Sequence, residues 1–246
     1  MRKIQLKEIL LALTLPTMSA LLTVALFLLL PDWSFNFQSL IIGMSLFYFF
    51  ECSLFKIFLK YFPLSSGVIK NNSKEQTIYH IYILQYLMFL YPLTFNKVIP
   101  TPIRRWLFIF LGAQLGENTY TSGVIFDPTL VTVGSNSILG FNSLIIPHEI
   151  EANHLAHYPI QIGNNVTVGA NAIIHSGCII YDGAIIASGA VLAKGSVVGS
   201  NEVWGGVPAR KIKSVIPSNV SISSSASALT LSDKHKSECL SIQIPD

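Results

Sequence analysis

A period of six residues governs the second half of the chain. Ile162, Val168, Ile174, Ile180, Ile186, Leu192 and Val198 stand six apart, and every one is Ile, Leu or Val. Four residues after each of the first six come Val166, Ala172, Cys178, Ala184, Ala190 and Ser196, all small. Earlier units fit the same pattern, Val133–Ile138 and Leu139–Leu144, with Leu115 as its first member. A repeat this short folds only by stacking on its neighbours. The arrangement it predicts is a triangular prism. Each short strand makes one side and points its aliphatic residue at the axis. Small residues fit the corners, where Gly134, Gly163, Asn164, Asn165, Gly169 and Gly183 accept turn conformations. Three units make a coil of about 18 residues, so Leu115–Val198 supplies about four to five coils.

The first hundred residues have a different character. Charged residues are 12% of the chain, hydrophobic residues 51%, and mean hydropathy is +0.53, with most of the apolar excess before Pro102. An ordinary soluble domain carries roughly twice that charged fraction. Residues 9–30 hold no charge, enough helix to cross a hydrocarbon core of roughly 30 Å, with a kink expected at Pro16. PDWSFN follows, then a second apolar run over about 35–55, with Glu51 near its end at an interfacial level. Arg2, Lys3 and Lys7 precede this hairpin, and Lys56, Lys60, Lys70 and Lys74 follow it. The positive-inside rule puts both ends in the cytoplasm. A third stretch, about 78–99, mixes aromatic and polar groups and reads as an interfacial or re-entrant helix, and Pro102–Gly112 as a second surface-lying one, with packed helices of a small membrane domain an equal reading of both. The expected domains are thus a membrane-anchoring region 1–101, a solenoid 102–216 and a Ser-rich, disordered tail 217–246. A net charge of +3 gives no basis for nucleic-acid binding. Cys52, Cys178 and Cys239 are odd in number and widely spaced, so no disulfide framework is implied.

The hexad register fails between Ile146 and Pro159, where a loop carries His148, His154 and His157. A loop extruded from a rigid scaffold is a common place for function. The chain returns as Pro159-Ile-Gln-Ile-Gly-Asn-Asn-Val-Thr-Val-Gly169 and ends its repeats with Gly206-Val-Pro-Ala-Arg210. On these motifs, which cover about Pro102–Lys213, the chain resembles the hexapeptide-repeat acyltransferases, in their acetyl-CoA-dependent sugar O-acetyltransferase branch.

The resemblance implies an all-β catalytic domain, a left-handed parallel β-helix, preceded here by the α-helical membrane region. It implies that His148, which opens the loop, acts as the base that deprotonates an acceptor hydroxyl or amine. Glu149 or Glu151, with Glu151 preferred, would orient the imidazole, and Asn142 would bind acceptor or carbonyl. Acetyl-CoA would lie along the C-terminal coils at Gly169, Ala187, Lys194, Arg210 and Lys211. The family often has Trp where Thr167 stands, so contacts there differ. A homotrimer is implied, acting on a sugar or lipid-linked acceptor at the cytoplasmic face of a bacterial inner membrane. His154 and His157 read as solvated loop residues or acceptor-binding groups, not second bases, and His175 as a surface residue. Two other readings are a non-catalytic trimeric scaffold and a zinc enzyme like the β-helical carbonic anhydrases. The latter place their three histidines on regular coils, unlike His148, His154 and His157, so no metal is expected.

Overall fold

The computed structural model describes residues 3–29, 36–95 and 99–215. Most of the PDWSFN turn, Cys239 and the Ser-rich tail lie outside them.

The solenoid is a left-handed parallel β-helix with three sheets. One stacks Gln114–Leu115, Val131–Val133, Ile160–Ile162, Ile179–Ile180 and Val197–Val198 in parallel. The second runs from Tyr120–Thr121 through Ile138–Leu139, Thr167–Val168 and Ile185–Ile186 to Glu202–Gly206. The third holds Val124–Ile125, Leu144–Ile145, Ile173–Ile174 and Val191–Leu192. The aliphatic hexad residues pair in register: Val133, Ile162, Ile180 and Val198 align along the first sheet and are all buried. Burying each such side chain contributes roughly 1.5–3 kcal/mol, which is why the period is so strict. Phe108, fully buried, joins this core from the helix before the first coil. At the other end Glu202–Gly206 turns back on Ala209–Ser214 as an antiparallel pair.

The N-terminal region is helical: α1 Leu6–Ala12, α2 Thr14–Leu28, α3 Phe37–Tyr61, α4 Lys74–Gln85, α5 Tyr91–Phe95 and α6 Thr101–Phe110. A π-helical turn, Tyr86–Leu90, joins α4 to α5. Three helical runs are long and apolar enough to cross a membrane: Leu6–Leu28, Phe37–Tyr61 and Lys74–Phe95. The break in the first run falls at Leu13, three residues before the expected kink at Pro16. Proline lacks the N–H that would bond the carbonyl of Ala12 and its ring crowds that carbonyl, so the disturbance appears one turn upstream. Glu51 also departs from expectation. The helix runs on to Tyr61, so Glu51 sits well inside it, fully buried and accepting from Ser19 Oγ at 2.7 Å. The helix at 101–110 buries Phe108 and Arg104, whose guanidinium donates to the Ser122 carbonyl at 3.1 Å, and leaves Ile103 and Trp106 exposed.

The helical region reaches the solenoid through a small antiparallel sheet. Gly67–Ile69 pairs with His154–His157, which pairs with His148–Glu151. The loop that breaks the hexad register is therefore a hairpin whose outer edge is held by a strand from the N-terminal region.

Candidate active site

The third sheet ends at one edge in two chemically distinctive residues. Ile125 and Ile145 are register partners on adjacent coils. Two residues beyond Ile125 stands Asp127, and three beyond Ile145 stands His148. Both strands leave the same edge together, so their next side chains meet although 21 residues separate them. His148 Nδ1 lies 2.5 Å from Asp127 Oδ2. Asp127 is buried, in a left-handed backbone conformation (φ 44°) at the start of the 3-10 turn Pro128–Leu130. The His148 side chain keeps 24% exposure, and Phe126 meets its ring edge-on at 5.9 Å.

The electrostatics follow from this placement. Burial pulls the His148 pKa down, but the Asp127 hydrogen bond, its charge and the charge of Glu149 outweigh it. The net result lies above the ordinary value of 6.5. Asp127 as a carboxylate only accepts, so neutral His148 carries its proton on Nδ1 and offers the Nε2 lone pair. That is the tautomer a general base needs.

Glu151, expected to orient His148, does not do so. It forms an ion pair with Lys194, whose ammonium also sits 4.0 Å from the Tyr158 ring centroid. The alternation of a strand explains this. Glu151 is three residues from His148 in one strand, an odd spacing that sends the two side chains to opposite faces. Glu149 accepts from the buried Ser176 hydroxyl at 2.5 Å. The carboxylate on His148 Nδ1 is that of Asp127, which the sequence reading missed. Its signal was faint: Phe126-Asp127-Pro128 is the other place where the early coils depart from the hexad pattern.

His157 pairs across the hairpin with His148 and is fully buried, not solvated as expected. Its Nδ1 faces the Ser65 carbonyl at 2.9 Å, its ring lies 5.1 Å from Tyr79, and burial lowers its pKa. His154 is exposed on the opposite face of the same strand. Among the described residues no group of three or more His, Cys, Asp or Glu side chains converges to hold a metal ion.

Asn142 adopts φ 55° at a corner and donates to Asn171 Oδ1 at 2.8 Å, so it serves the turn stack. At Gly169 a Cβ would collide with the Ser188 backbone nitrogen of the next coil, and the Ala187 N–H donates to the Trp204 carbonyl at 2.8 Å. Both positions satisfy coil stacking. Lys211 binds Glu202 at 2.6 Å, which holds that carboxyl near a pKa of about 2. Arg210 is exposed, with its guanidinium on the Ala209 carbonyl at 3.0 Å. His175 is half-buried. Cys178 is buried and donates to the Ala193 carbonyl, and its thiol pKa is pushed up to about 11 by burial.

Residues 159–194 match the family model described as bacterial transferase hexapeptide (six repeats). No curated protein matches the chain. Among solved structures, the chain is similar to a hexapeptide-repeat acetyltransferase of Vibrio cholerae O1 biovar eltor bound to acetyl coenzyme A. The two are 20% identical over 60% of this chain and 93% of that one, with a TM-score of 0.45. It is also similar to a maltose O-acetyltransferase of Clostridium difficile 630, at 22% identity over 62% and 95% of the two chains and a TM-score of 0.41. A galactoside acetyltransferase in complex with coenzyme A gives 21% identity over 61% and 86%, at a TM-score of 0.44.

Proposed function

We propose that the chain is a membrane-anchored acetyltransferase that moves an acetyl group from acetyl-CoA to a hydroxyl of a sugar or lipid-linked acceptor. The observation that carries this reading is the Asp127–His148 pair at the point where the hexad register breaks. A buried carboxylate on Nδ1 with a partly exposed imidazole is the arrangement of an oriented general base. In the reaction, His148 Nε2 takes the acceptor's hydroxyl proton as that oxygen attacks the thioester carbonyl. The tetrahedral oxyanion collapses, the C–S bond breaks, and the imidazolium returns its proton to the leaving thiolate. The raised pKa suits this second half, because it lets His148 hold the proton until the thiolate departs.

Donor binding along the C-terminal coils rests on Arg210, an exposed cation with no carboxylate partner among the described residues, and on Lys194 once Glu151 releases it. A homotrimer is supported by the outward row of the second sheet. Tyr120, Ile138, Thr167, Ile185 and Val203 align there in register, with Ile138 56% exposed. Membrane anchoring by the α2–α3 hairpin is supported by its apolar surface and by Lys56 and Lys60 near its end. The tyrosine face of the α4 run packs between Phe55 and Leu59 of α3 on one side and the site on the other, where the Tyr86 hydroxyl donates to the Ile125 carbonyl.

The test compares cells expressing the wild-type chain or His148→Ala. Acetylated surface glycans are measured by mass spectrometry, and acetyl-CoA binding is measured on the purified full chain. Loss of acetylation with retained acetyl-CoA binding supports the reading. Wild-type acetylation by His148→Ala, or no acetyl-CoA binding by the wild type, rejects it.

A further inference from the structure

The Asp127–His148 pair is closed from behind by helix α4. Tyr79, Tyr82 and Tyr86 share one face of the helical run, at i, i+3 and i+7, and all three are buried. The two outer tyrosines each have a defined task. The Tyr86 hydroxyl donates to the Ile125 carbonyl at 2.9 Å, two residues before Asp127. The Tyr79 ring lies 5.1 Å from that of His157, the cross-strand partner of His148. Tyr82 sits between them, fully buried, with ring centroids 5.6 Å from Phe55 and 5.8 Å from Tyr86. Its hydroxyl is buried and closes no hydrogen bond among the described residues, and the Asp127 carboxylate, two residues beyond the Ile125 carbonyl that Tyr86 binds, is a charge that acts on it. A phenylalanine would fill the same stack, whose neighbour Phe55 has nothing to offer a hydroxyl. A buried phenol without an acceptor is costly, and the acceptor at hand is Asp127.

We propose that Tyr82 is a positioning residue of the transfer site: its hydroxyl serves as donor to Asp127 and fixes that carboxylate against His148 Nδ1. The proposal rests on the reading of His148 as the base. It makes the N-terminal helical region part of the site as well as its anchor. The ionisable groups facing the pair are Glu149 beside His148, His157 across the hairpin, Tyr79 and Tyr82 from α4, and Tyr86 from the π-helical turn that follows it. Among these, Tyr82 presents the positive end of an O–H dipole to the carboxylate. Removing that dipole raises the proton affinity of the Asp127–His148 pair, because a positive potential is withdrawn from it.

The experiment uses the full chain in lipid nanodiscs with carbon-13-labelled histidine, and His148 assigned by comparison with His148→Gln. In Tyr82→Phe the His148 titration midpoint is expected to rise by roughly half a unit. The acid limb of kcat is expected to move with it, and kcat to fall about tenfold with the KM for acetyl-CoA unchanged. Tyr181→Phe, on the exposed solenoid surface, is expected to change neither. Should Tyr82→Phe fold poorly, 3-fluorotyrosine at position 82 keeps the packing and is a stronger donor, so the midpoint is expected to fall. An unmoved His148 midpoint in both variants overturns the proposal, as does a fall in Tyr82→Phe. Lost activity and lower stability with an unmoved midpoint would reduce Tyr82 to packing and also overturn it. Retained transfer by His148→Ala would remove the base reading alone, because the midpoint still reports the Tyr82–Asp127 contact.

Discussion

The regular coils from Ile160 to Val198 and the irregular hairpin His148–His157 lie side by side and obey different rules. Inward residues of the coils find their partners on the neighbouring coils, so one short pattern decides them all. The hairpin's partners come from afar: Asp127 for His148, Ser65 for His157, and Gly67–Ile69 for the strand His154–His157. Repetition makes the coils stiff and interchangeable. The hairpin is held by single contacts, each with a different element. The proposed chemistry falls at the seam because a scaffold that repeats cannot place one unlike group, whereas a break in it can.

The comparison predicts effects of opposite kinds on its two sides. At the seam, His148→Ala is expected to lower kcat/KM by about 10²- to 10⁴-fold while leaving the melting transition in place. Asp127→Asn is expected to cost about a hundredfold or more, since it removes the acceptor that selects the Nδ1–H tautomer. It also carries a pH signature. Wild-type kcat/KM should fall as pH drops through a value above 6.5, because His148 must be neutral to act and its pKa is raised. In Asp127→Asn that limb moves to lower pH, as burial then acts without its counterweight. The linked stability runs the other way. A raised folded pKa stabilises the folded chain below the unfolded value, and that contribution is lost as pH climbs through the folded one.

On the coil side, Ile174→Ala is expected to cost about 2–5 kcal/mol of stability, read from the urea midpoint of the detergent-solubilised chain. Activity per folded molecule should stay within about twofold, because Ile174 is fully buried and its strand pairs regularly with Leu144–Ile145 and Val191–Leu192. A hundredfold loss of kcat from Ile174→Ala, with the fold intact, would erase the distinction between scaffold and seam.

The same distinction explains what could be read in the sequence. The sheet positions of Ile162 through Val198 were legible because burial repeats with the hexad, and His148 was legible because it stands where the hexad stops. Asp127 was hidden, since the stretch that carries Ile125 to its pairing with Ile145 lies before Val133, where only Leu115 marked the register. Glu51 was misplaced because an apolar helix can bury a carboxylate if one serine faces it, and Ser19 lies 32 residues away. The tyrosines of α4 looked interfacial in composition. Their face packs against α3 and the site, a fact of tertiary packing that no local pattern holds.

The smallest effect is the most discriminating for the seam itself. Glu151 was the carboxylate expected to serve His148, and the hairpin's alternation sends it to Lys194. Exposed ion pairs of this kind contribute about 0–1 kcal/mol, and here both side chains are more than a third exposed. Glu151→Gln should therefore leave kcat within about threefold and the acid limb unmoved. It should lower the KM for acetyl-CoA slightly, if at all, because Lys194 is then free to meet a phosphate. The opposite result, a fall in kcat near that of Asp127→Asn with an acid limb displaced downward, would mean that the hairpin rearranges in the working enzyme. It would bring Glu151 to His148 and make the edge of the third sheet only one of two places where a carboxylate can reach the base.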